Sequence, residues 1–375
     1  MATAYLPSEY VFTSNPVPIK ITGLTTGQKI KVVISDSISG IYLMTLYYYE
    51  RLNEANFDLS GILNDMTAKY FYDYADTVAT INEGKAYRQL RVKITNGEGT
   101  VTYSDSVFIC VFGGKQIGDA KEYRCGNYGT GNWLIEHEKI EYYTGSPVML
   151  SFLSAFTIVA AGNPVNVTIR VKKQSAGSFA YQSFPVTINR GRSVQNINLL
   201  PIFNALTSTG GIKWYEIEIM YGNSLSSIVK PIRIYNKGNI YQYSDVQLFR
   251  WLNKLGGWEY AYLYDGSESI AVGTETANVF LDSIEPIGNR YRSTHEVRTK
   301  TSRKTKKFGT APIDYATWLG HSGISESIAV QMWDKNTGLW LNVECVDSSF
   351  SWNNRNTFNE FEITVLFPQS FTQTR

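Results

Sequence analysis

The feature that most constrains this chain is a set of short period-two segments recurring in one fixed order. SNPVPIKI (Ser14–Ile21) resembles GSPVMLSF (Gly145–Phe152), and KIKVVI (Lys29–Ile34) resembles PVNVTIRV (Pro164–Val171). FDLSGILND (Phe57–Asp65) pairs with INLLPIFNA (Ile197–Ala205). RVKITNG then VFIC (Arg91–Gly97, Val107–Cys110) pairs with EIEIMYG then IRIY (Glu216–Gly222, Ile232–Tyr235). The offsets are 131, 135, 140, 125 and 125 residues. In the second copy Val165, Val167, Ile169 and Val171 alternate with Asn166, Thr168, Arg170 and Lys172. One apolar face with period two is a half-buried strand. The repeat predicts two antiparallel β-sandwiches, over 5–115 and 133–238.

At 375 residues, with 43% apolar and 18% charged, the chain can bury more than one core and is no charged disordered segment. A net charge of +2 excludes a wholesale nucleic-acid binder or a polyacidic scavenger. Cys110, Cys125 and Cys345 form no CxxC pair, and His137, His295 and His321 have no metal-ligand spacing, so no metal or cofactor is expected. The start, MATAYLPSEYVF, has neither a basic nor a continuous apolar stretch, which predicts no cleaved signal and no membrane anchor. Val148–Ala161 is too short to span a bilayer and reads as two core strands. Gly113–Asn132 holds six glycines, and 116–132 is assigned as a linker. Its GNYGTG (Gly126–Gly131) is no phosphate loop, lacking both GxGxxG spacing and a following helix.

The region 239–375 has a different texture and predicts a C-terminal β-rich domain with one or two short helices. SDVQLFRWLNKLGGWEY (Ser244–Tyr260) carries Ser244 with Gln247 three residues later, then Val246, Phe249, Leu252 and Leu255 before Gly256–Gly257. That pattern predicts an amphipathic helix of about three turns. A second helix is expected at Ile313–Leu319, after Pro312. Strands are expected at Ile328–Trp333, Leu339–Val346 and Phe358–Phe367, with a tight connection at Asp334–Gly338. The fold class is therefore mainly β: two tandem sandwiches and a β-rich C-terminal domain.

One segment is strongly charged. Between residues 290 and 307 lie Arg290, Arg292, Arg298, Lys300, Arg303, Lys304, Lys306 and Lys307 against the single acid Glu296, a balance of 8 − 1 = +7. Alternating base and Thr/Ser suits an extended hairpin or arm that contacts an acidic neighbouring subunit or DNA; the plainer reading is a solvated loop. Glu136, His137 and Glu138 fall on alternate faces of a strand and read as a solvent-facing edge rather than a metal or acid/base group. No GxSxG elbow is present, and His321-Ser322-Gly323 reads as a turn. Six of eight tryptophans (Trp251, Trp258, Trp318, Trp333, Trp340 and Trp352) lie in the last third. They fill a core or, if exposed, stack on sugars.

LFRWLNKLGGWEYAYLY (Leu248–Tyr264) resembles the "fLNklGgWdyytf" segment of virion proteins from phages that infect Bacteroidetes, and rests on Trp251, Leu252, Asn253, Gly256, Gly257 and Trp258. The block Thr310–Phe367, ending in NEFEITVLF, is similar to the close of the same proteins. The basic segment is longer and more charged than that resemblance leads one to expect. The likeness covers about a third of the chain. It implies a non-enzymatic, tail-associated structural protein, assembled in the host cytoplasm into a ring at the neck, tail or baseplate. Its partners would be copies of itself and other virion proteins. The competing readings are a receptor- or glycan-binding module at the tail tip and a glycosidase-like depolymerase.

Overall fold

The computed structural model describes residues 2–6, 10–72, 81–83, 87–111, 113, 132–135, 139–155, 165–175, 178–188, 192–206, 213–221, 229–278, 295–346, 352–353, 356–368 and 370–374. The chain is mainly β and divides into two compact units. The first comprises Met1–Gln242 with Leu252–Glu259; the second comprises Tyr243–Trp251 with Tyr260–Arg375.

In the first unit one topology occurs twice. A five-stranded sheet runs in the spatial order Tyr10–Phe12, Thr102–Val111, Tyr87–Asn96, Lys29–Asp36, Tyr42–Tyr49. A second five-stranded sheet runs Lys139–Thr144, Ile232–Asn239, Trp214–Tyr221, Val165–Ser175, Ser178–Ile188, the same order at the same places in the repeat. Each has one parallel pair at its edge, Tyr10–Phe12 along Ile109–Val111 and Lys139–Thr144 along Arg233–Asn239. The sheets are therefore mixed there rather than wholly antiparallel. The facing sheets match as well: Thr3–Tyr5, Pro18–Thr22, Glu54–Asp58 in one copy, and Asn132–Trp133, Met149–Ala155, Arg192–Asn198 in the other. The strand Ile81–Glu83 leaves the first copy and pairs with Gln195–Ile197 of the second.

The alternation of the sequence explains these sheets. Ile30, Val32 and Ile34 are fully buried between the layers, as are Val167, Ile169 and Val171, while the intervening residues face outward. After the strand ending at Asp58 or Asn198, both copies place a helix, Ser60–Tyr72 and Leu199–Asn204. Asn198 caps its helix by accepting from Leu200 N at 3.0 Å; Asp58 accepts from Ser60 N and Val17 N, both at 2.8 Å. The SGILND and LLPIFN matches are thus helix starts, which alternating apolar pairs alone do not signal. Of the apolar run Val148–Ala161, Met149–Ala155 is one strand, and residues 156–161 lie outside the described ones. So do the linker residues 114–131.

The second unit is built on one sheet whose order closes on itself. Trp258–Asn278, Val246–Leu252, Val330–Asp334, Leu339–Cys345, Glu362–Leu366 and His295–Gly309 are neighbours in turn, and His295–Gly309 pairs back onto Trp258–Asn278. Ser370–Thr374 adds outside, on Thr299–Ser302. Closing six strands into a barrel removes free edges. Its interior holds Phe249, Trp251, Leu263, Phe308, Met332, Phe361, Ile363 and Val365. The helix Tyr315–Ser322 adds Trp318 to the same core.

Three expectations differ from the structure. Ser244–Tyr260 is not a helix: Val246–Leu252 is a strand, and Gly256–Gly257 sits in the turn to the next strand. Both faces of that strand are buried, Val246, Leu248 and Arg250 on one and Phe249 and Trp251 on the other. The apolar spacing fits either period, and a strand alone carries Phe249 and Trp251 side by side into the barrel. The later helix begins two residues after Ile313, because Asp314 is its cap and accepts from Thr317 N at 2.8 Å. Ile313 forms a bridge with Asn359, and the strand expected from Phe358 starts at Glu362 and is followed by a further strand, Ser370–Thr374.

Candidate functional site

The residues that carry the family likeness are placed by packing. Leu252–Glu259 belongs to the first unit, although its neighbours in sequence belong to the second. Asn253 is buried, and its side chain organises the loop. Its Oδ1 accepts from Leu255 N and Gly257 N, both at 3.0 Å. Its Nδ2 donates to Leu134 O at 2.9 Å and to Glu259 Oε2 at 2.5 Å. Gly256 has φ +76°, and a Cβ on Gly257 would lie 2.0 Å from Leu134 O. Trp258 N donates to Ser151 Oγ at 3.3 Å, and Ser151 Oγ donates to Asn196 Oδ1 at 2.7 Å. Leu255 completes a cluster with Tyr87, Ile109, Val111, Leu134, Leu153 and Val194. Trp251 and Trp258 are 0% and 5% exposed, which leaves neither ring open for a sugar to stack on.

The basic segment forms one strand of a long hairpin. Arg290 and Arg292 lie outside the described residues, as do the side chains of Arg298 and Lys300. From Glu268 to Asn278 the opposing strand pairs with residues 295–306. Lys304 Nζ lies 2.8 Å from Glu268, Lys306 Nζ 2.7 Å from Asp265, and Lys307 Nζ 2.7 Å from Glu362. The excess read along the sequence is thus partly met by acids from other strands. Lys304 also lies 5.6 Å from the centre of the Phe367 ring. Arg303 lines a shallow cleft of about 250 Å³ with Asn342, Glu344, Leu366 and Phe367.

Catalytic chemistry finds little to work with among the described residues. They contain no group of three or more His, Cys, Asp or Glu able to hold a metal. Glu136, His137 and Glu138 lie outside them. His321 is buried at the end of its helix, its ring edge-on to Trp251 and Phe361, and is not in a turn. Cys110 is fully buried; loss of hydration pushes its thiol far above the ordinary range, only partly countered by the Arg88 charge.

A further surface lies on the outer face of the first sandwich. In the first sandwich the register puts Tyr47 and Tyr49 opposite Lys31 and Lys29, and Lys93 opposite Val33, all on the outer face. Lys29 Nζ lies 3.9 Å from the centre of the Tyr47 ring and 5.9 Å from that of Tyr49. Asp105, across from Lys93, is bound through both oxygens by Arg91 at 2.7 Å, and that hydrogen bond holds its carboxyl below the ordinary range. The alternation in KIKVVI was the available signal, since it sets Lys29 and Lys31 opposite the buried Ile30 and Val32.

No family model and no curated protein matches the chain. Among solved structures, the calcium-binding domain CBD12 of CALX1.1 is 8% identical, over 58% of this chain and 78% of that one, with a TM-score of 0.18. CBD12 from CALX1.2 is 9% identical over 60% and 83%, also at 0.18. The plexin A4 extracellular region is 10% identical over 98% of this chain and 36% of that one, at 0.19. Likenesses at this level carry no argument about function.

Proposed function

We propose that this chain is a non-enzymatic structural protein of a phage virion, a ring-forming tail, neck or baseplate subunit that mediates assembly. The observation that carries the reading is the hairpin. Its strand Trp258–Asn278 runs on past the residues that close the barrel, and Ile270 and Val272 on that extension are each 62% exposed. Apolar side chains presented in this way suit burial against a neighbouring copy in a closed heterologous ring. The family-like segments at Leu248–Tyr264 and Thr310–Phe367 support the same assignment. The virion is then its location, with other virion proteins as further partners and the basic hairpin as a contact with an acidic neighbour or with DNA.

The test is antibody labelling of purified source particles, imaged by electron microscopy, with peptide mass spectrometry of the same particles. Label at one fixed level of the tail or neck is the expected result. Absence of its peptides from the particles overturns the proposal. Reducing-sugar release from host capsule by the isolated protein would instead establish an enzyme.

A further inference from the structure

The two sandwiches act as controls for each other. Their central apolar pairs Val32–Ile94 and Ile169–Ile219 are equivalent, which aligns the outer faces residue by residue. On that alignment Lys29, Lys31, Tyr47 and Tyr49 of the first copy stand where the second has Asn166, Thr168, Pro185 and Thr187. Arg91 and Lys93 stand where it has Glu216 and Glu218. In the second copy those acids take up the cations on the adjacent strand: Lys172 lies 3.3 Å from Glu216, and Arg170 bonds Glu218. In the first copy Asp105 is the one carboxylate among the described side chains that the register sets on this face, and Arg91 already occupies it. Lys93 also acts on Asp105 through its charge, yet four cations (Lys29, Lys31, Arg91 and Lys93) against one carboxylate leave 4 − 1 = +3 beside two exposed rings. The second copy also presents an exposed aromatic pair on this face, Phe179 and Tyr181, with Lys172 and Arg170 over the rings, but there Glu216 and Glu218 hold the cations; the uncompensated charge is what sets the first copy apart.

We propose that the outer face of the first sandwich binds single-stranded nucleic acid through Tyr47, Tyr49, Lys29, Lys31 and Lys93. Tyr47 and Tyr49 are 48% and 66% exposed. They stand two residues apart on one strand, a separation of about 6.6 Å. Adjacent bases reach that separation once unstacked, beyond the 3.4 Å rise per residue of a duplex strand. The Lys29 ammonium covers one face of the Tyr47 ring at 3.9 Å and lies 5.9 Å from the centre of the Tyr49 ring, so a base would stack on the opposite face of Tyr47 with a cation close by for its phosphate. Aromatic side chains flanked by cations are the platform on which unpaired bases stack. This inference is independent of a place in the virion.

The experiment is fluorescence anisotropy of the full chain with a labelled 20-mer of thymidylate at 50 mM salt. A hairpin duplex serves as a comparison and heparin as a sulfated-glycan competitor. Saturable binding is expected, with log affinity falling against log salt at a slope of roughly −2 for three neutralised phosphates. Tyr47→Ala and Tyr49→Ala should each weaken it about fivefold or more. The charge-reversal pair Lys31→Glu with Lys93→Glu should abolish it. An unchanged melting temperature confirms that each variant is folded. No saturable binding by the folded wild-type chain overturns the proposal. So does affinity indifferent to the tyrosines, or a preference for duplex or heparin over the single strand.

Discussion

Asn253 shows how much a single side chain decides. It makes four hydrogen bonds from a buried position, two to its own loop, one to Leu134 O and one to Glu259. Asn253→Ala leaves those partners unsatisfied and should lower stability by roughly 3 kcal/mol, read from chemical denaturation. Gly257→Ala should cost at least as much, since the new carbon has no room beside Leu134 O. Asp36 has a pH signature. Burial raises its carboxyl, but hydrogen bonds from Ser39 N, Arg88, the Ser39 hydroxyl and Ile38 N together outweigh that and hold it below the ordinary 3.8. A depressed folded value contributes stability above the unfolded value and loses it as pH falls through the folded one. Asp36→Asn should therefore flatten the acid limb of the stability curve below about pH 4, measured by urea midpoints across pH. None of these roles was legible in the sequence, because each depends on a partner between two and about 120 residues away.

Elements differ in how far local pattern fixes them. The alternation at Lys29–Ile34 and Val165–Val171 was readable because one face is buried and the other wet. At Ser244–Tyr260 the capping signal and apolar spacing pointed to a helix, and barrel closure overrode both. A strand buried on two faces has no polar phase to betray its period. Trp251→Ala should cost about 3–5 kcal/mol and broaden the thermal transition, since the ring fills the barrel. The hairpin invites the opposite expectation. The ion pairs of Lys304, Lys306 and Lys307 are at the surface, and such pairs contribute about 0–1 kcal/mol each. Replacing Arg303, Lys304, Lys306 and Lys307 by Ser should leave the fold standing and block incorporation into particles, scored by quantitative blotting of purified virions. Normal incorporation would make the hairpin a passive element.

At the scale of the molecule, the repeat was legible because both copies keep the same strand order. The connection of the copies was not, since Ile81–Glu83 has no counterpart in the pattern. Nor was the assignment of Leu252–Glu259 to the first unit. A fragment ending at Gln242 would lack Leu255 from the cluster around Leu134, Leu153 and Val194. It should melt below a fragment ending at Tyr264, by differential scanning calorimetry. Equal melting temperatures would mean that the loop adds nothing to the first unit.

The strand Ile81–Glu83 also sets a timetable for synthesis. Its partner begins at Gln195, which is 195 − 83 = 112 residues further along the chain. At 5–20 residues per second the ribosome needs roughly 6–22 s to deliver it. Until then the first sandwich waits with three residues of backbone unmatched, so the copy made first is not completed until the second is part-way through synthesis.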